Sequence, residues 1–175
     1  MLVGDSAGGN LVLGLLSHLL HPYPSIPETQ LTQAPLAGAV VISPMCSFDT
    51  TTSSFRKNLK SDVVPPEVVK KWSSLYLGAS KLDNYNHPVS ADVAWFRGLD
   101  GIVDSLLVWA GGKETLLDST KELYGTLREA HPRTELFVNP EAAHEEMIVE
   151  INMGYNSPTS DDAEVISRWI SSKWA

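Results

Sequence analysis

The residues most able to do chemistry in this sequence surround Ser6, in a segment over residues 4–10 that reads GDSAGGN. A serine hydroxyl becomes a nucleophile only when a base removes its proton, and it must project from the backbone to reach a substrate carbonyl. The GxSxG spacing meets the second need, because it is typical of a sharp turn between a strand and a helix. We therefore predict that Ser6 is a nucleophile.

The flanking residues supply the strand and the helix that such a turn requires. Residues 1–3 are apolar and predict the end of a strand. Residues 10–20 predict a mostly buried helix, which Pro22 stops. The serine is therefore expected to lie on a nucleophile elbow, the strand–turn–helix unit that exposes a catalytic serine.

A serine on such an elbow predicts two partners further along the chain, an acidic residue after a later strand and then a histidine. Residues 105–110 form an apolar run that predicts a buried strand, and Glu114 follows it after a pair of glycines. Residues 134–138 predict another strand, and His144 follows it in a loop. We expect His144 to act as general base and Glu114 to orient and stabilise its imidazole.

Asp118 is the alternative acid, because it belongs to the same loop region as Glu114. Residues 116–130 predict a helix, and Asp118 then lies in its first turn, where a carboxylate favours the helix dipole without any catalytic task. Glu114 is the better candidate. The apolar side of this helix is formed by Leu116, Leu117, Leu123 and Leu127.

The order of the predicted elements indicates an α/β fold with a mainly parallel sheet and helices on both faces. Residues 37–42 predict a second strand, and residues 161–174 predict a final helix. Residues 64–77 predict a helix that opens at two prolines. Its expected buried side consists of Val68, Val69, Trp72, Leu75 and Tyr76.

Residues 47–95 lie between two predicted strands, and in this architecture they form an insertion over the active-site edge of the sheet. The aromatic side chains of this insertion are interpreted as core residues, because aromatic residues at helical spacing usually pack in a core. The alternative is that they line a cavity for an acyl or sterol group. They are Phe55, Trp72, Tyr76 and Trp95.

These motifs resemble the hormone-sensitive-lipase-like branch of the α/β hydrolases, and within it fungal esterases and steryl acetyl hydrolases. The resemblance covers nearly the whole chain and implies that residues 1–175 are one domain, the C-terminal portion of such a hydrolase. It implies Ser6 as nucleophile, His144 as base and Glu114 as acid, where the family commonly has the Asp of a D-P-L-x-D pattern. The matching motifs are GDSAGGN, Ser43–Pro44, Asn58 with Asp62, Tyr76–Leu77, Pro88–Val89–Ser90 and the GGKETLLD loop at 111–118.

The resemblance also implies an oxyanion hole with donors from two places, the backbone N–H of Ala7 and the glycines of an upstream HGGG segment. No HGGG occurs in the sequence. We therefore expect an incomplete fold without the N-terminal strands of the family. Loss of one oxyanion donor lowers turnover by about 100- to 1,000-fold. Without those N-terminal strands, the first strand of this chain is an exposed edge of the sheet, which predicts self-association.

The composition is that of an ordinary globular protein, with 43% hydrophobic and 19% charged residues. The net charge of −8 argues against nucleic acid as a partner. The sequence contains no signal peptide and no apolar run long enough to span a bilayer, and a cytoplasmic location is expected.

Neither a metal nor a cofactor is expected. Cys46 is the single cysteine, it follows a predicted strand, and it is interpreted as a buried apolar residue. No cysteine and histidine pair stands at zinc-ligand spacing. The remaining histidines are interpreted as structural: His18, His21, His87 and His131.

The sequence therefore predicts a serine carboxylic-ester hydrolase that transfers an acyl group from a small-molecule ester to Ser6 and then to water. One alternative is a remnant of the same fold without turnover. The other is a binding protein on the same scaffold, and the presence of His144 weighs against it.

Overall fold

The computed structural model describes residues 1–29, 31, 35–154 and 160–174. A parallel sheet of four strands lies at its centre, and the order of the strands across the sheet is their order along the chain. Parallel neighbours of this kind need a crossover connection for each step. The strands are β1 (Leu2–Asp5), β2 (Ala39–Ile42), β3 (Leu106–Gly111) and β4 (Thr134–Asn139).

Each connection between consecutive strands contains at least one helix. α1 connects β1 to β2, and α4 connects β3 to β4. The longer connection from β2 to β3 contains α2, α3 and two short 3₁₀ turns. The helices of the described residues are α1 (Ala7–Leu20), α2 (Ser53–Asn58), α3 (Pro66–Leu77), α4 (Leu117–Ala130), α5 (Glu146–Asn152) and α6 (Asp162–Ser172).

Both faces of the sheet are covered, which confirms the predicted fold class. Along β2, Ala39 and Val41 pack with residues of α1 and α4 on one face. Their neighbours Val40 and Ile42 pack with residues of α5 and α6 on the other face. This alternation follows from the two-residue period of a strand. Because β2 is buried on both faces, its sequence is a continuous apolar run.

The predicted buried side of α3 is wrong. Trp72, Leu75 and Tyr76 are 49%, 73% and 50% exposed, and only Val69 of the expected set is buried. Val69 belongs to a small cluster with Phe55 and other residues beside the sheet. The side chains of Trp72, Leu75 and Tyr76 belong to none of the hydrophobic clusters of the described residues, because helical spacing fixes which side chains share a face but not what that face meets.

One helix boundary and one additional helix also differ from the predictions. α1 begins at Ala7, directly after the elbow serine, and not at residue 10. α5 occupies part of a segment for which the sequence predicts a loop, and it buries Met147 against the sheet. No helix in the described ranges has the length and apolar character needed to cross a bilayer.

Substitution of Gly4 tests the close packing between β1 and α1. A Cβ atom on Gly4 would clash with the backbone of Gly8 and lie 2.9 Å from the nitrogen of Gly9. We expect Gly4→Ala to lower the free energy of unfolding by about 3 kcal/mol, or to prevent folding, because backbone atoms must move. Urea denaturation measures this change.

Gly125→Ala is the matched control, since nothing lies within 4 Å of its Cβ position on α4. Alanine has the higher helix propensity, so this control should stabilise the protein by about 0.5 to 1 kcal/mol. Equal effects of the two substitutions would contradict the packing described for β1 and α1.

Candidate active site

Ser6 occupies a strained turn at the carboxyl end of β1. Its φ of 47° and ψ of −112° place a non-glycine residue in a region that side chains rarely adopt. The backbone N–H of Ser6 donates to the carbonyl of Ile42 at 2.8 Å, and its carbonyl accepts from the N–H of Met45 at 3.0 Å. Hydrogen bonds to the end of β2 therefore hold the strained residue in place.

The hydroxyl of Ser6 contacts the imidazole of His144. The Oγ atom lies 3.1 Å from Nε2, a hydrogen-bonding distance. His144 lies between β4 and α5 and is 4% exposed. The two residues are 138 positions apart in the sequence, and they meet because parallel strands bring their carboxyl ends to one edge of the sheet.

The carboxylate of Glu114 faces the other ring nitrogen of His144. Its Oε2 atom lies 3.5 Å from Nδ1, and the Glu114 side chain is completely buried. Nδ1 and the second carboxylate oxygen, Oε1, have no hydrogen-bond partner among the described residues. The contact is therefore longer than a hydrogen bond, and catalytic contacts of this kind often tighten only when substrate binds.

Ser43 holds the same carboxylate oxygen that faces His144. Its hydroxyl donates to Oε2 of Glu114 at 2.5 Å, and both side chains are buried. Ser43 follows β2 directly and, like Ser6, has a positive φ, of 44°. From the sequence, Ser43 stands out only as part of a family motif, because its contact with Glu114 joins residues 71 positions apart.

Asp62 connects the loop that carries Glu114 to the loop that carries His144. Its Oδ2 atom accepts hydrogen bonds from the backbone N–H of Thr115 at 2.5 Å and from the hydroxyl of Thr115 at 2.8 Å. Its Oδ1 atom accepts from the backbone N–H of His144 at 3.2 Å. Nearby, the amide of Asn58 donates to the carbonyl of Glu114 at 2.8 Å.

Asp118, the alternative acid, lies elsewhere. Its Oδ2 atom accepts from the backbone N–H of Ser54 at 2.7 Å, at the start of α2. The structure therefore places Glu114, and not Asp118, beside His144. Each of the other histidines bonds to backbone groups outside this site: His18, His21, His87 and His131.

Burial and neighbouring charge shift the pKa values of the site in opposing ways. Burial raises the pKa of Glu114, although His144 and the Ser43 hydroxyl partly offset that effect. Burial alone would lower the pKa of His144, but the carboxylates of Glu114, Glu145 and Asp62 outweigh it, so this pKa is raised above the ordinary value. The imidazole is thus a stronger base than a free histidine.

An apolar cavity of about 340 Å³ opens beside Ser6. Trp72 and Tyr76 line it, so their interpretation as core residues is wrong, whereas Phe55 is buried as expected. Phe48 was not predicted to line the site, and its ring packs edge-on against Tyr76 in the cavity wall. The cavity is lined by Ser6, Ala7, Asn10, Leu11, Met45, Phe48, Trp72, Ser73 and Tyr76.

Cys46 is fully buried, as predicted, and burial raises the pKa of its thiol to about 12. A thiol in that state is a poor nucleophile at neutral pH. Within the described ranges, no group of three or more His, Cys, Asp or Glu side chains is arranged to hold a metal ion.

Comparison with known proteins identifies relatives of this chain. A family model described as alpha/beta hydrolase fold matches residues 1–148. No curated protein matches the sequence. Among solved structures, an esterase from the bacterial hormone-sensitive lipase family is 32% identical, with a TM-score of 0.64 over 82% of this chain and 43% of that protein.

Two further structures match almost all of the chain. An esterase/lipase from an uncultured bacterium is 25% identical, with a TM-score of 0.72 over 98% of this chain and 52% of that protein. A hormone-sensitive lipase homologue from a metagenome library, EstE7, is 23% identical, with a TM-score of 0.74 over 99% and 54%, and shares the fold. The chain thus spans about half the length of the solved structures that it matches.

Removal of the Asp62 side chain tests its role between the two loops. We expect Asp62→Ala to lower the free energy of unfolding by about 3 kcal/mol, because hydrogen bonds to a charged acceptor are lost in two loops at once. Urea denaturation measures the loss, and hydrogen exchange should show faster exchange of the Thr115 and His144 amides.

Asp49→Ala is the control for this experiment. Asp49 also accepts from the N–H and hydroxyl of a threonine, Thr51, but only within its own exposed turn. We expect a much smaller loss of stability. Similar losses in the two variants would show that Asp62 does not connect the loops.

Proposed function

Because the chain belongs to the alpha/beta hydrolase fold family, whose model matches residues 1–148, we propose that it is a serine carboxylic-ester hydrolase of the hormone-sensitive-lipase-like branch. The observation that most supports this proposal is the 3.1 Å contact between Ser6 Oγ and His144 Nε2, with the Glu114 carboxylate on the opposite ring nitrogen. The three side chains have the types and the order that acyl transfer through a serine requires.

In the proposed acylation step, Nε2 of His144 accepts the hydroxyl proton while Ser6 Oγ forms a bond to the ester carbonyl carbon. The carbonyl oxygen becomes an oxyanion. His144 then gives the proton to the alcohol oxygen as its bond to carbon breaks. A water molecule repeats these steps on the acyl-enzyme and releases the acid.

Glu114 is proposed to hold the imidazole with its proton on Nδ1, which leaves the lone pair of Nε2 directed at Ser6. The carboxylate also stabilises the imidazolium that forms during each step. Ser43 supports this role by fixing the carboxylate oxygen that faces the ring. The additional methylene of Glu relative to Asp is compatible with the observed 3.5 Å contact.

The N–H of Ala7 is the proposed oxyanion donor within this chain. Ala7 is the first residue of α1, so its N–H has no acceptor within the helix and lies at the positive end of the helix dipole. Ala7 also lines the cavity beside Ser6. Ser6 and Ala7 thus line one cavity, and attack on a carbonyl requires a nucleophile and an N–H donor in the same space.

The proposed substrate is a small-molecule ester with an apolar group, which the cavity would take. Its wall consists mainly of aromatic and aliphatic side chains, and apolar pockets of a few hundred Å³ suit ligands of that kind. Residues 47–95 supply Phe48, Trp72 and Tyr76 to this wall. We therefore propose that these residues act as an insertion over the active-site edge of a single domain over residues 1–175.

Several finer expectations stay predictions. They are the similarity to fungal esterases and steryl acetyl hydrolases, the cytoplasmic location and the lack of a nucleic-acid partner. Self-association through β1 is another. β1 is an edge strand of the described sheet, and Val3 on it is 54% exposed.

A fluorophosphonate probe tests the proposed nucleophile. Such a probe phosphorylates an activated serine, so we expect it to label the purified protein once, at Ser6, with mass spectrometry as the measurement. Ser6→Ala should abolish the label, and His144→Gln should slow labelling by at least about 1,000-fold, because the base is lost. A folded protein that the probe does not label at any concentration would favour the remnant without turnover.

Trp72→Ala tests the proposed apolar subsite. Loss of the indole enlarges the cavity, so we expect the ratio of kcat/KM for octanoyl over acetyl p-nitrophenyl esters to rise by about tenfold. Trp174→Ala is the control, because Trp174 lies beyond the end of α6 and does not line the cavity. An unchanged ratio in Trp72→Ala would contradict the assignment of the cavity.

A further inference from the structure

A second carboxylate lies beside His144, on the side of the ring that faces Ser6. The Oε1 atom of Glu145 is 3.7 Å from Nε2, the same nitrogen that lies 3.1 Å from Ser6 Oγ. The side chain of Glu145 is only 14% exposed, and its Oε1 atom is buried without a hydrogen-bond partner among the described residues. A buried carboxylate oxygen without a partner is costly, and the proposed relay does not use it.

The backbone of Glu145 is also unusual. Its φ of 52° and ψ of 29° lie in the left-handed region, which favours glycine. Its carbonyl accepts the N–H groups of Ile148 at 2.8 Å and Val149 at 3.0 Å, so the start of α5 fixes this conformation. The fold therefore holds a glutamate, with both backbone and solvation costs, next to the reacting nitrogen.

The imidazole of His144 thus lies between two carboxylates, with Glu114 at Nδ1 and Glu145 at Nε2. A general base must present an unprotonated Nε2 to the serine hydroxyl. An ionised carboxylate 3.7 Å from Nε2 favours a proton on that nitrogen. Glu145 therefore opposes the protonation state that activates Ser6.

We propose that Glu145 is a positioning residue that acts through His144, by stabilising a proton on Nε2 and so confining activation of Ser6 to higher pH. The consequence for turnover rests on the proposed hydrolase function. The linkage between the Glu145 carboxylate and the imidazole proton does not, since it follows from the contact alone.

The other charges around this pair agree with the direction of the effect. Asp62 and Glu114 also raise the pKa of His144, and burial alone would lower it. Burial first, and then the nearby carboxylates of Asp5 and Glu114, raise the pKa of Glu145 to about 7, with His144 opposing the rise. Glu145 and His144 lie 3.7 Å apart, so the protonation of one affects the protonation of the other.

NMR titration of the imidazole tests the linkage on the full chain. His144→Gln assigns the His144 signal among the five histidines. We expect Glu145→Gln to lower the midpoint of the His144 titration by roughly one pH unit, because one of the carboxylates that stabilise the imidazolium is neutralised. The wild-type curve should also be broader than that of the variant.

Glu141→Gln is the matched control. It removes a carboxylate three residues before His144, but that side chain is 79% exposed and pairs with Lys113. Its His144 midpoint should equal that of the wild type. Glu145→Gly is a second variant that removes the carboxylate and relieves the positive φ, so a fold defect in Glu145→Gln does not decide the outcome.

A His144 midpoint that stays unchanged or rises in both Glu145 variants would overturn the proposal. A midpoint that falls equally in Glu141→Gln would also overturn it, since the effect would then be general. Fluorophosphonate labelling separates this result from the proposed function. If Ser6 is labelled, the pH of half-maximal labelling should fall together with the midpoint of the His144 titration. If Ser6 is not labelled but the His144 midpoint shifts, the proposed hydrolase function is rejected and the linkage between Glu145 and His144 is retained.

Discussion

The parallel register of the four strands is the constraint on which the candidate site depends. Asp5, Ile42, Trp109 and Phe137 lie side by side across the sheet. Ser6, Ser43, Glu114 and His144 lie in the segments that directly follow the four strands. Their side chains therefore meet at the carboxyl ends of the strands. A shift of one strand by one residue would move its side chains to the opposite face. β2 and β3 are buried on both faces, so such a shift would disrupt the close packing of their side chains with the residues that cover each face.

Several carboxylates lie close to His144 and give the candidate site a high local density of negative charge. Glu114, Glu145 and Asp62 all act on His144, which is nearly buried and is the cation that their charge would stabilise. Carboxylates at this proximity are tolerable only because hydrogen bonds and the imidazole offset their repulsion and desolvation. Ser43 and Thr115 provide such bonds to Glu114 and Asp62, but Oε1 of Glu145 has none among the described residues.

The sequence predicted the parts of the site that local patterns encode. The GxSxG spacing located Ser6, and the position of Glu114 and His144 after predicted strands located the two residues that the structure brings beside it. The roles of Ser43 and Asp62 were not predictable, because their contacts join segments 71 and 82 residues apart. The exposed side of α3 was also missed, since the same aromatic spacing serves a core and a cavity wall.

The joint action of Glu114 and His144 on Ser6 is the central claim, and a double-mutant cycle on the rate of fluorophosphonate labelling tests it most directly. Residues that act as one relay have non-additive effects, so we expect Glu114→Gln with His144→Gln to be about as slow as His144→Gln alone. Asp118→Asn, at the alternative acid, should label at the wild-type rate. Multiplicative effects of the Glu114 and His144 substitutions, or a wild-type rate in Glu114→Gln, would contradict the relay.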